Sequence, residues 1–394
     1  MDLLNFIKNN NIETYENLKT ILENEPFYLK FKEDNEIPEL FLIHPQEKSD
    51  FTNIITRQCN GIIMEKNTLK IVCYSFEKCI DNENALDNRM NTQEMNLEFA
   101  MESTLVRLYF YNNNWFLATK KCINASKSKW LSNKNFLELF IECLSSINSL
   151  EKLQEKLNTE YCYTFILLHP ENNIVVNYKQ PELYHISTRN LSTIVEIDEN
   201  IGINKPIKKK FTIEEFNLMI ESLKTEKNYS YEGYIIIDNN NIRQKFKTDI
   251  YKMVRNIWGN TNNRFYRYLE LRKNFDLLNS YLTYYPDDKT KFFEFEAIIN
   301  NLSYKILEIY KLHHVFKEKN KIPYYFNKII YKLHGDFMKF RIATNHDKIM
   351  ITLLELDPKQ ICYMINKLNS EVKKNENEIE MELENNIQTE NMDI

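Results

Sequence analysis

Two short strings hold the clearest chemistry in this chain: Tyr231-Glu232-Gly233-Tyr234-Ile235-Ile236-Ile237 and Gln244-Lys245-Phe246-Lys247. Between them, Asp238-Asn239-Asn240-Asn241 reads as a turn joining two strands. Side chains alternate between faces along a strand, so Lys245 and Lys247 share one side of the sheet. The hairpin therefore sets one carboxylate at the start of a strand and two ammonium groups on its neighbour. A carboxylate can hold a divalent cation and lysines can neutralise phosphate oxygens, so the trio suits a metal-bound polyphosphate. An ordinary charged hairpin would carry the same residues.

Other hairpins must frame this one. Gly61-Ile62-Ile63-Met64 is expected to pair with residues 69–74, and Leu105 to Tyr111 with Trp115 to Thr119 across three asparagines. Tyr163 to Leu168 is expected to turn at His169-Pro170-Glu171-Asn172 into a strand at Ile174-Val175-Val176. The first forty or so residues read as short helices, with Ile21 and Leu22 at helical spacing from Leu18. Helices are also expected over 135–147 and 212–224, the second with a Thr212-x-x-Glu215 capping box. From Ile250 to the mid-360s the period is helical and aromatic-rich, broken at Tyr285-Pro286-Asp287-Asp288 and Ile322-Pro323. An α+β fold with an all-α C-terminal domain follows, divided as 1–258, 259–370 and an acidic disordered tail at 371–394.

Composition sets the bounds. A chain of 394 residues, 43% hydrophobic and 13% aromatic, exceeds what one core usually organises and has ample apolar material. No run of eighteen apolar residues appears, so no membrane span is expected, and the N-terminus has no basic stretch leading into an apolar one. Seven scattered cysteines without Cys-x-x-Cys point to a reducing, cytoplasmic setting and away from zinc. The net charge of −5 argues against simple electrostatic capture of nucleic acid, yet residues 371–394 alone carry eight acids against two lysines. Without that tail the remainder is near +1, so nucleic acid stays permitted.

Taken in order, these hairpins resemble the covalent nucleotidyltransferase superfamily, and most closely the phage-type RNA ligases with relatives in large DNA viruses. The resemblance covers roughly residues 51–251. Arg57-Gln58-Cys59-Asn60-Gly61-Ile62-Ile63 stands where the family has an Arg-Gly step before a strand. Ala100-Met101-Glu102-Ser103-Thr104 occupies the slot of the signature Lys-x-Asp-Gly-Ser/Thr, and Ala118-Thr119-Lys120-Lys121 looks like the lysine-bearing strand after it. Residues 165–175 resemble the Phe-Glu-x-Val-x-Pro-x-Asn-x-Ile-Val segment, and Tyr184-His185-Ile186-Ser187-Thr188-Arg189-Asn190 the arginine-containing strand that follows. Glu232-Gly233-Tyr234-Ile235 and Lys245-Phe246-Lys247 match the fourth and fifth motifs without a gap.

The resemblance implies a nucleotidyltransferase domain of the ATP-grasp-like RNA-ligase kind, using ATP and Mg2+ or Mn2+ on RNA ends. It implies catalytic roles for Lys245, Lys247 and Glu232, with Glu232 on the metal, and nucleotide contacts from Lys120, Lys121, Glu102 and Arg189. In such enzymes the signature lysine attacks the nucleotide α-phosphate; Ala100 cannot, because only an amine forms that adduct. Glu102, Ser103 and Ile166 also depart from the aspartate, glycine and glutamate of the pattern. Two readings follow: an RNA-ligase-like protein that binds ATP, AMP or an RNA 5′ end with impaired self-adenylylation, or a non-catalytic descendant (a pseudoenzyme) that binds RNA or a protein partner through its C-terminal helices. A displaced nucleophile at Lys120 or Lys121 is the route by which full activity could persist.

Overall fold

The computed structural model describes residues 1–80, 85–318 and 321–371. The chain opens with helices α1 (Asp2–Asn9) and α2 (Tyr15–Glu23), the latter capped by the Thr14 side chain, which accepts from the Asn17 amide. The helical reading of the first forty residues fails beyond this point. Strand β1 (Leu29–Glu33) and strand β2 (Leu40–Pro45) follow, because Leu29 and Phe31 are buried while Lys30 between them is exposed, a period of two. After α3 (Ile54–Gln58), strands β3 (Ile62–Glu65) and β4 (Ile71–Cys73) complete an antiparallel sheet in the order β1-β2-β3-β4.

Next come β5 (Met95–Ala100), β6 (Thr104–Tyr111), β7 (Asn114–Thr119), α4 (Phe136–Ser145), α5 (Leu150–Gln154), β8 (Tyr161–Leu168), β9 (Glu182–Asn190) and β10 (Glu196–Ile197). The β6–β7 hairpin forms in the expected register, with Phe110 opposite Trp115. Residues 174–176 are not a strand; β8 pairs with β6 and β9 in a five-stranded sheet ordered β10-β9-β8-β6-β7. The reason is a tertiary contact: the Val175 and Val176 amides are taken by the Glu102 carboxylate at 2.8 and 2.7 Å instead of by a neighbouring strand. Helix α4 begins with a full Asn135/Glu138 capping box and packs Phe140 edge-on to Phe165 of this sheet.

A third sheet, β11-β5-β12-β13, holds the charged hairpin of residues 231–247. Its strands are β11 (Lys209–Phe211), β12 (Gly233–Asp238) and β13 (Arg243–Lys247), with α6 (Glu214–Thr225) covering one face through Phe216 on Phe246. Half of the expected capping box forms, the Thr212 amide donating to Glu215. The Asp238 carboxylate ties the turn by accepting from Asn240 and Ile242, and Asn241 takes the left-handed conformation at φ 62°.

Two compact units divide at Asn256 and Ile257, within α7 (Asp249–Trp258). The second unit is helical: α8 (Arg264–Leu271), α9 (Phe275–Tyr284), α10 (Asp288–Tyr310), α11 (Asn327–Phe340), α12 (His346–Glu355) and a final helix over 358–371. Both expected breaks fall between its helices. Arg264 anchors this unit, stacking over Trp258 at 3.7 Å and pairing with Asp288 at 2.8 Å. No helix among the described residues is long and apolar enough to cross a membrane. The acidic tail assigned to 371–394 lies, beyond Glu371, outside the described residues.

Candidate functional site

The third sheet determines which side chains meet. Gly233 of β12 lies opposite both Lys247 and Ala100, and Ile235 opposite both Lys245 and Glu98. Directly paired residues of an antiparallel sheet share a face, so Ala100, Glu98, Lys245 and Lys247 all stand on one side. Glu232, just before β12, is held there by its backbone: its amide donates to the Ala100 carbonyl at 2.9 Å, and its carbonyl accepts from Thr248 at 3.1 Å. Its carboxylate, on a residue only 7% exposed, meets Lys245 at 2.8 Å and Lys247 at 3.3 Å through separate oxygens. The gap after Glu232 must be glycine. A Cβ at Gly233 would lie 2.0 Å from the Phe246 carbonyl oxygen, and φ there is 150°.

These residues border a cleft of about 240 Å3, which Glu232, Lys245, Lys120, Glu98, Tyr251 and Ile166 help to line. The volume suits a nucleoside monophosphate or the equivalent part of a larger nucleotide. Ile166 makes part of an apolar wall with Leu105, Ile174 and Ile186, where a glutamate would have offered a hydrogen bond. Metal ligation must be judged on Glu232 alone. Among the described residues no group of three His, Cys, Asp or Glu side chains could hold an ion. A single carboxylate fits a divalent cation that arrives with phosphate oxygens and keeps its waters, and does not fit a dedicated metal cage.

Lys120 follows β7 and is fixed at its base. The space that a Gly61 Cβ would fill is occupied by the Lys120 carbonyl oxygen and Cα, at 2.7 and 2.8 Å. Arg107, buried on β6, donates to both the Gly61 and Thr119 carbonyls and so locks this approach. The Lys120 side chain is open to water on the cleft side, with protein massed around it, and has no hydrogen bond or ion pair among the described residues. That enclosure lowers its pKa; Lys245 and Arg107 add repulsion, partly offset by Cys79 and Glu232.

Glu102 also lines the cleft, and its carboxylate is bonded to the protein itself. It is 6% exposed, and its carboxylate accepts from Val175, Val176 and, at 2.7 Å, the Tyr251 hydroxyl. Burial raises its pKa against the pull of those three bonds. It therefore ties β5's exit to the loop after β8 and to α7. Glu98, buried four residues earlier, is likewise raised by burial, with Arg243 opposing.

Two expected contacts are not brought to the cleft. Arg189 is spent on the Ser75 and Ile194 carbonyls and on Glu196, which also pairs with Arg243. Lys121 is exposed, and its carbonyl accepts from Lys32 at 3.0 Å. Lys247 reaches the site through Glu232. Glu171 is a turn residue bound to Ser132 and Lys134. Tyr251, Arg243 and Glu98 were absent from the sequence reading. Glu98 could have been found from strand alternation back from Ala100; Tyr251 carries no signal of its own.

No family model matches the chain. It is 24% identical over 232 residues to an "Immediate-early protein ICP-46 homolog" of Invertebrate iridescent virus 3, covering 55% of this chain and 51% of that protein. It is 25% identical over 246 residues to a "Putative bifunctional polynucleotide kinase/RNA ligase" of Autographa californica nuclear polyhedrosis virus, covering 58% and 35%. It is 26% identical over 172 residues to an "RNA ligase" of Rhodothermus phage RM378, covering 36% and 39%. The chain thus spans about half the length of the first relative and less of the others. A solved archaeal ATP-dependent RNA ligase superposes with a TM-score of 0.43 at 10% identity, over 79% of this chain and 82% of that one.

Proposed function

We propose, for a chain that is related to viral and phage RNA ligases, that the cleft binds the phosphate of a nucleotide or an RNA 5′ end without forming a covalent adduct at the signature position. The observation that carries this reading is the sheet register: Ala100 stands on the face that bears Lys245 and Lys247. Two ammonium groups share that face, which supports phosphate binding, and the side chain at the signature position is a methyl group.

Lys245 and Lys247 are both paired with Glu232, two cations on one carboxylate, which leaves the trio with one positive charge in excess. An arriving phosphate competes for the two ammonium groups, and Glu232 is then free to bind a divalent cation carried by that phosphate. Mg2+ or Mn2+ would supply charge neutralisation on phosphate oxygens. The partly exposed lysines can swing between the carboxylate and a phosphate with little loss of packing. Ile166 and its apolar neighbours favour a sugar or base face over a specific hydrogen bond, which suits ATP, AMP and a 5′-terminal nucleotide alike. Exposed aromatic residues of the helical unit, Phe275, Phe293 and Phe316, support a role for that unit in contacting RNA or a protein.

The test is equilibrium binding of AMP and of a ribo-oligonucleotide carrying a 5′-phosphate or a 5′-hydroxyl. Wild-type protein should prefer the phosphate, and Lys245→Ala and Lys247→Ala should each weaken that preference about tenfold or more, the scale of one charge-assisted hydrogen bond. Wild-type affinity in both folded variants removes the assignment.

A further inference from the structure

Away from the cleft, between the first sheet and the five-stranded sheet, two thiols touch. Cys73 ends β4 and Cys162 is the second residue of β8; their Sγ atoms lie 3.6 Å apart, and neither residue is exposed. They share an apolar cluster with Leu42, Ile63, Tyr109 and Ala118. Free cysteines often sit in cores as small hydrophobes, so contact alone decides nothing.

The neighbouring cation decides it. Arg107 is 1% exposed, bonds to two backbone carbonyls, leaves its Nε without a partner, and meets no carboxylate among the described residues. A buried guanidinium without a counter-charge is costly, and Arg107 stands on the same sheet face as Cys162, because its partner across β6 and β8 is Thr164, two residues from Cys162. Burial opposes ionisation of Cys73, but the Cys162 hydrogen bond and the Arg107 charge outweigh it and hold that thiol below its usual range. Cys162 moves the other way, pushed up by burial and by its partner. One sulfur is thus suited to attack, and the other to resolve.

We propose that Cys73 and Cys162 form an oxidisable dithiol that closes to a disulfide under a peroxide, with Arg107 stabilising the attacking sulfur. In the first step the Cys73 sulfur takes the distal peroxide oxygen; the O–O bond breaks, Cys73 becomes a sulfenic acid, and one water leaves. In the second the Cys162 sulfur attacks the Cys73 sulfur, its proton leaves with the hydroxyl as a second water, and the S–S bond forms. Two thiols and one hydrogen peroxide give one disulfide and two waters. The sulfurs must close from 3.6 Å to about 2 Å, and β4, a three-residue strand at the edge of its sheet, is the segment that can move. The product is neutral. Arg107, which frames Lys120 through Gly61 and Thr119, then faces a sulfur pair that can no longer ionise, so oxidation reaches the cleft through one side chain.

The full chain, treated with hydrogen peroxide while folded, then alkylated and digested, tests this by mass spectrometry. The expected product is a peptide pair linking Cys73 to Cys162, 2 Da lighter than the two thiols and released by dithiothreitol. Two of the seven free cysteines should be lost to alkylation. With Cys162→Ala, dimedone should instead capture a sulfenic acid at Cys73. Oxidation confined to the less buried Cys79, Cys122 and Cys362, or linkage between other cysteines, overturns the proposal. If Cys162→Ala does not fold, the wild-type peptide map decides alone.

Discussion

Removing the Glu102 carboxylate should unfasten the first unit before it affects any ligand. In Glu102→Ala the Val175 and Val176 amides and the Tyr251 hydroxyl lose an acceptor held at 2.7–2.8 Å. Tyr251 borders the cleft and can turn to water, which leaves two buried amides unpaired. At roughly 1–3 kcal/mol each the loss is about 2–6 kcal/mol, less what is regained by no longer burying an ionisable group. A net cost of about 3 kcal/mol is expected, a large share of the ~5–15 kcal/mol that holds a typical folded protein together. Glu102→Gln behaves differently. Its carbonyl oxygen can accept from both valine amides, as one carboxylate oxygen does now, and its NH2 can donate to Tyr251. That variant should stay within about 1 kcal/mol of wild type. Urea unfolding followed by the fluorescence of Trp115 and Trp130, together with AMP titration of the folded variants, separates the cases. If Glu102→Ala unfolds like wild type, or if Glu102→Gln keeps its stability but loses nucleotide, the carboxylate contacts ligand and the structural account of it is wrong.

Gly233→Ala should cost about 3 kcal/mol or more, because its Cβ meets the Phe246 carbonyl oxygen at 2.0 Å and the β12–β13 register must open; a shift below 1 kcal/mol by urea denaturation would contradict this. His185 is fully buried and its pKa is depressed to about 4, chiefly by burial, so the folded state resists a proton that the unfolded chain takes up near 6.5. Its contribution is complete above pH 6.5 and is lost as the pH falls toward 4, about 3 kcal/mol in all. His185→Gln should flatten that acid limb in a pH series of unfolding midpoints, and an unchanged limb would assign it to other groups.

The hairpin at 231–247 was legible because its turn, its strand alternation and its glycine all act within seventeen consecutive residues. Ala100 was placed by motif order, and β5 then seats it opposite Gly233, a pairing between residues 133 apart that periodicity cannot reveal. Local signals failed where a tertiary partner overrode them. Ile174-Val175-Val176 has strand composition, yet a buried carboxylate claims its amides. Leu29 to Glu33 alternates cleanly, but the helical spacing just before it masked the change of period. Arg189 carried the right residue type in the right strand, and only the structure shows Glu196 and two carbonyls consuming its donors. Lys120 gained meaning from Gly61 and Arg107, neither of which is near it in sequence.

The most direct measurement is retention of α-labelled ATP by the folded full chain with Mn2+, read on one sample before and after denaturation. The account predicts label held by the native protein, reduced in Lys245→Ala, and released completely on denaturing electrophoresis, because Ala100 offers no amine. Label that survives denaturation would contradict it and direct peptide mapping to Lys120, while a native protein that retains none would remove the phosphate site itself.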